Sequence, residues 1–210
     1  MLGNTGGNKK FLTIVGGKWT LRVPEGTEGA VERVNKVGDT VNELQFSYVD
    51  GYVAGGRIKQ GQFGSTVEID LQDGDETYLV QIPVPEAGGI GDYFMSFGKA
   101  CPNIDPTKKL FLGLGYDRED DRSFLYLKQD GNTVHSAFTK ENPNGMPQWE
   151  KKEVMGKVKW NADEQNEFLY GQIVDFFALV GDEVVAEVVT PEVIAPATPL
   201  PIDLDDDIPF

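Results

Sequence analysis

The chain has 210 residues, 40% of them hydrophobic, with 12 Phe, 7 Tyr and 3 Trp, which is material for one good core plus appendages. A formal charge of -15 excludes a surface that is basic all over, so any nucleic-acid binding would have to rest on a local groove. The lone Cys101 rules out an internal disulfide, FLTIV is too short for a signal-peptide core and is followed by Gly16-Gly17-Lys18, and no run reaches transmembrane length, so the expectation is a soluble cytoplasmic protein.

In chain order the pattern predicts strands at 10–23, 30–37, 41–50, 52–60, 65–72 and 76–84. A helix follows over 90–99, bounded by Gly88-Gly89 and Pro102, and then strands at 109–116, 122–129, 132–139 and 151–160. Three Asp-Gly pairs, at Asp50-Gly51, Asp73-Gly74 and Asp130-Gly131, are read as tight hairpin turns, because Asp-Gly reaches positive φ at low cost. Leu44, Phe46 and Tyr48 are assigned to the core. Alternation in RSFLYLK places Arg122, Phe124, Tyr126 and Lys128 on one face, opposite Ser123, Leu125 and Leu127. Asn161 with Glu164 resembles a capping box, and Phe168, Leu169, Ile173, Phe176, Phe177 and Val180 recur at helical spacing up to Gly181.

Beyond Gly181 the composition changes. Pro191, Pro196, Pro199 and Pro201 favour an extended, solvated chain, and residues 181–210 hold eight acids with no Lys or Arg. The sequence then closes on DLDDDIPF, where Asp203, Asp205, Asp206 and Asp207 precede Ile208, Pro209 and Phe210. An acidic run alone is a solvating tail. The added ring suits a plug for an apolar socket with a basic rim, with Pro209 limiting the ordering cost and the aspartates steering encounter.

DLDDDIPF resembles the C-terminal tip of bacterial single-stranded DNA-binding proteins, which follows a proline- or glycine-rich linker. The longer body is closer to that of the phage proteins of this class. The resemblance implies a mainly β fold, an elaborated OB-fold-like barrel with one or two helices, plus a disordered acidic C-terminal tail. It divides the chain into a DNA-binding body over 1–180, a Pro/Val/Ala-rich linker over 181–202 and a protein-docking tip over 203–210. It further implies a non-catalytic protein without cofactor or metal. Such a protein protects single-stranded DNA and recruits replication, repair and recombination enzymes in the cytoplasm of a bacterial host. A phage origin fits, and homo-oligomerisation is left open.

Single-strand binding needs cations interleaved with aromatic faces. The candidates are Arg122, Phe124, Tyr126 and Lys128; Lys18, Trp19 and Arg22; Tyr52, Arg57 and Lys59; and Lys151, Lys152, Lys157, Lys159 and Trp160. Aromatics on a strand face are also ordinary core residues, and a lysine-rich segment is also an ordinary edge strand. Other chemistry is thin. Cys101 and His135 are too few for a zinc site, and the glycines of GGIGDY and GLGYDRED lack a phosphate-loop lysine. Asp117, Glu119, Asp120 and Asp121 are interleaved with Arg118 and Arg122 and read as a charged loop. Two alternatives stand beside the main reading: a metal-dependent nuclease using Glu150-Lys151-Lys152, and an interaction protein that imitates the tip without touching DNA.

Overall fold

The computed structural model describes residues 9–35, 37–61, 64–87, 89–154 and 157–181. The chain is mainly β. Two short strands open it, β1 (Lys10–Val15) and β2 (Lys18–Val23). The single strand expected over 10–23 is thus a hairpin, because Gly16 and Gly17 take φ of +56° and +72° and turn the chain in two residues. There follow β3 (Val31–Val34), β4 (Thr40–Phe46), β5 (Tyr48–Gly61), β6 (Gly64–Asp73) and β7 (Glu76–Pro83). Next come α1 (Asp92–Ala100), β8 (Leu110–Asp117), β9 (Arg122–Gln129), β10 (Asn132–Thr133), β11 (Glu150–Val154), β12 (Lys157–Asn161) and α2 (Asp163–Val180).

Ten strands form one sheet in the order β10-β9-β8-β5-β6-β7-β1-β2-β4-β3, antiparallel throughout except where β1 meets β7. Among the described residues this order does not close into a barrel. Two of the three Asp-Gly pairs turn the chain as expected: Gly74 has φ +60° between β6 and β7, and Asp130-Gly131 have φ of +51° and +79° between β9 and β10.

Asp50-Gly51 does not turn. Both residues lie inside β5, opposite Phe111 and Leu110 of β8. The glycine is needed for approach instead: a Cβ there would lie 3.0 Å from the Gln72 carbonyl oxygen and 3.1 Å from Leu71 Cβ. At this point β5 changes partner. Tyr48–Gly51 pairs with β8 and Tyr52–Gly61 with β6, with a register shift between Val53 and Gly55.

Two further expectations are corrected. Of the strand expected over 132–139 only Asn132–Thr133 is strand, with one further bond from the Val134 amide to the Leu127 carbonyl; the chain then leaves the sheet to meet α1, where the Ala137 amide donates to the Lys99 carbonyl. The strand expected over 151–160 is the separate ribbon β11-β12, with Lys151 opposite Trp160 and Lys152 opposite Lys159.

Both helices pack on one face of the sheet. Phe94 and Phe97 of α1 and Leu169, Ile173, Phe176 and Phe177 of α2 join Val67, Ile69, Leu71, Ile82, Leu110, Leu112, Leu125 and Leu127 in a single core. Gly56 seats α2: a Cβ there would sit 2.1 Å from the Phe177 ring. The expected capping box does not form: Ala162 is the N-cap, without a side-chain cap, and Asn161 Oδ1 accepts from the Asp163 amide at 2.9 Å just ahead of it, while Gly181 ends the helix at φ +94°. With this face filled, the opposite face of β5, β8 and β9 is left to solvent. Among the described residues no helix is long and apolar enough to cross a membrane.

Candidate nucleic-acid interface

The open face of β5-β8-β9 carries a row of aromatic rings. Register decides which side chains meet: Gly113 of β8 lies between Tyr48 of β5 and Tyr126 of β9, Phe111 lies between Asp50 and Lys128, and Gly115 lies opposite Phe124. The rings fill the spaces the glycines leave. A Cβ on Gly113 would meet the Tyr126 ring at 2.2 Å, and one on Gly115 would meet the Phe124 ring at 2.4 Å. Ring centroids step from Tyr48 to Phe111 (4.7 Å, stacked), to Tyr126 (5.8 Å) and to Phe124 (6.3 Å).

Cations accompany the rings. Lys128 Nζ lies 5.8 Å from the Phe111 centroid and 5.7 Å from that of Tyr126. Lys18 donates to Ser47 Oγ at 3.2 Å, beside Tyr48 at the head of β5. Asp50, opposite Phe111, is held by Lys109 at 2.9 Å, and the same ammonium reaches Asp73 at 3.0 Å. At the other end Asp117 lies opposite Arg122, and Asp92, Asp117 and Asp120 line the hollow beside Phe124.

At the Phe124 end the row reaches Arg122 and then an indole corner. Arg122 pairs with Asp92 at 2.8 Å and sits 5.7 Å from the Trp149 ring. Trp149 and Trp160 meet edge to face at 6.2 Å, and Lys151 Nζ stands 4.9 Å over Trp160. Gln165, buried, fixes Trp149: its Oε1 accepts from the indole Nε1 at 2.7 Å while its Nε2 donates to the Pro147 carbonyl at 2.9 Å. Lys99 of α1 comes close by. Burial and the neighbouring Arg122 guanidinium push its ammonium below the ordinary lysine value.

The structure thus brings Arg122, Phe124, Tyr126 and Lys128, four residues expected on one face, next to Lys151 and Trp160 of a separate candidate group, with Lys18 at the far end. Trp19 does not join them. It is 0% exposed, a core residue whose Nε1 donates to the Leu112 carbonyl at 3.1 Å, so neither ring face is open to a base. Arg57 is committed to the buried Glu68 at 2.6 Å. Arg22 is exposed on β2 opposite Glu43, and Lys59 is exposed on β5 opposite Thr66, both away from the ring row. Tyr52 is exposed on β5 beyond Asp50. The side chains of Lys152, Lys157 and Lys159 lie outside the described residues, as do the linker after Gly181 and Asp203, Asp205, Asp206, Asp207, Ile208, Pro209 and Phe210.

Sequence reasoning missed Tyr48, which is 53% exposed and not core, and with it Phe46 at 40%. It also missed Phe111, Trp149 and Lys99. A signal for Phe111 exists in LFLGLGYD: the glycines that share its face of the strand leave room there for rings from the neighbouring strand. Among the described residues no group of three or more His, Cys, Asp or Glu stands together as a metal site, and the buried Cys101 has its thiol pushed up by burial. No protein-family model, curated protein or solved structure matches this chain.

Proposed function

We propose that this protein binds single-stranded DNA without sequence preference along the open face of β5-β8-β9. The observation that carries this reading is the unbroken row Tyr48, Phe111, Tyr126 and Phe124, with Lys128 over its middle and Arg122 at its end. Each ring that takes a base contributes about 1–3 kcal/mol, and any base has a π-face to offer, so stacking alone reads no sequence. Paired bases in a duplex do not present those faces. An OB-like origin of the body belongs to this proposal, since an open sheet face and a closed barrel wall offer a strand the same kind of surface. Recruitment of replication, repair and recombination enzymes through residues 203–210 also belongs to it, supported by the motif DLDDDIPF.

The test is a titration of oligo-dT against salt, with duplex of the same length as comparison. Three neutralised phosphates give a log-affinity slope of about -2, at roughly -0.7 each. Binding confined to single strands, with such a slope, is the expected outcome. Equal affinity for duplex, or no binding at low salt, overturns the reading.

A further inference from the structure

Beyond the Phe124 end of the ring row a groove of about 540 Å³ opens between α1, β9, the 138–149 segment and Trp160. Among the described residues its lining includes Lys99, Arg122 and Lys140 and no carboxylate, in a chain whose formal charge is -15. Arg122 has Asp92 as a partner at 2.8 Å, and Asp92 is not part of this lining. Lys99 forms no ion pair among the described residues and is close enough to Arg122 to feel its charge. Asp92, Asp117 and Asp120 line the adjoining hollow that shares Lys99 and Arg122, so the carboxylates stand on that side and not in the groove. A half-buried ammonium set against a guanidinium burdens the free fold, and an anion between them would relieve it.

The rest of the lining suits a flat apolar group. Trp149 is held in place by Gln165, and Trp160 closes the corner at 62° to it. Exposed Gln148 and Lys140 stand at the rim with donors for polar edges. Hollows of roughly 300–1,000 Å³ hold single small ligands, so this one has room for a base and its phosphate, not for a length of strand.

We infer that this groove is a nucleotide-holding pocket, in which one base of the bound strand leaves the ring row to lie against Trp149 and Trp160 while its phosphate is clamped between Lys99 and Arg122. The inference rests on the single-strand reading but concerns a different set of residues. Free deoxythymidine monophosphate should enter the pocket alone, and deoxythymidine, lacking the phosphate, should enter more weakly.

Intrinsic tryptophan fluorescence reads this directly. Of the three tryptophans Trp19 is sealed in the core, so a ligand-dependent change comes from Trp149 and Trp160. Deoxythymidine monophosphate at millimolar concentration should quench the wild-type protein, with deoxythymidine roughly tenfold weaker, as expected for a lost charge-assisted contact. Lys99→Gln should weaken the monophosphate and oligo-dT by a similar factor, with Lys99→Arg restoring most of it. Lys140→Gln serves as a second variant with a smaller effect in the same direction.

If oligo-dT binds while the monophosphate causes no quenching, or while Lys99→Gln changes neither ligand, the pocket is overturned and the single-strand reading stands. If oligo-dT itself fails to bind, the single-strand reading falls. The monophosphate then decides the pocket on its own: quenching that Lys99→Gln weakens keeps a nucleotide site, and its absence removes it.

Discussion

Gly113→Ala separates the ring row from the fold that carries it. The new Cβ would lie 2.2 Å from Tyr126 Cζ and 2.5 Å from its hydroxyl oxygen. Ordinary carbon–carbon contact is about 3.5 Å, so the ring has to withdraw by roughly 1.3 Å or rotate off the strand. The clash involves the far end of a half-buried side chain with two free torsions, so the fold has an inexpensive way out. A methyl group also suits a strand better than glycine does. Stability should stay within about 0.5 kcal/mol of wild type, near the noise of a melting curve. Binding should not stay. Tyr126 stands between Phe111 and Phe124, and displacing it breaks the row in the middle. Losing one stacking seat costs about 1–3 kcal/mol, or roughly a 5- to 150-fold loss in affinity for oligo-dT. No cation is removed, so the salt slope should be unchanged. Gly115→Ala should do the same through Phe124. The measurement is an oligo-dT titration at two salt concentrations beside a thermal melt. A variant that melts and binds like wild type, with the ring shown by NMR or crystallography to have moved, refutes the use of these rings as base seats.

Trp19→Phe should lower stability by about 1–3 kcal/mol, through a lost buried hydrogen bond and an underfilled site, and leave the oligo-dT affinity of the folded protein at its wild-type value. Melting and titration together check it, and a selective loss of binding would return Trp19 to the site. The hydrogen-bonded Arg33 guanidinium holds the buried Glu43 carboxyl below its ordinary range, so this group's contribution is present above the ordinary carboxylate pKa and is lost as pH falls through the lowered folded value. Arg33→Gln leaves the carboxylate buried without its guanidinium hydrogen bonds and with only the weaker field of Arg22 opposite, which reverses the sign. The variant should be less stable than wild type near neutrality and recover part of the difference on acidification, as read from melting temperatures between about pH 3 and pH 7.

The face of β9 was legible because period-two alternation is a local property: RSFLYLK sorts its residues by parity wherever the strand lies. Which parity faces water was not legible, since that depends on α1 and α2 covering the other side. Trp19 shows the same rule neglected. Its flanking Lys18 and Arg22 suggested a shared surface, but an immediate neighbour in a strand points the other way, and Trp19 shares parity with Leu21 and the core. Asp50-Gly51 carries a strong local turn signal that was overridden by pairing, because β8 and β6 both hold β5 extended through that point. Lys99 had no local signal at all. Its importance arises from Arg122, 23 positions away in the chain, which only the packing of α1 on β9 brings near.

The acidity of the chain and an affinity for a polyanion are compatible once the charges are placed. Residues 181–210 hold eight of the 34 acids, leaving 26 against 19 bases in the body. Much of that remainder is engaged pairwise: Lys9 with Asp70, Lys10 with Glu76, Arg33 with Glu43, Arg57 with Glu68, Lys108 with Asp130, and Lys109 with Asp50 and Asp73. Lys99, Lys128, Lys140 and Lys151 are outside such pairs among the described residues, and all four stand on the ring row, its groove or the indole corner. Repulsion from the net charge acts over distances that salt screens, with a Debye length of about 10 Å at 0.1 M. The attraction acts at contact, where screening is weak. Arg22 and Lys59 are outside such pairs too and lie away from the rings, while Arg122 at the end of the row is paired with Asp92. On the proposed reading it is therefore the combination of rings and cations, rather than free cations alone, that would favour this face for a single strand.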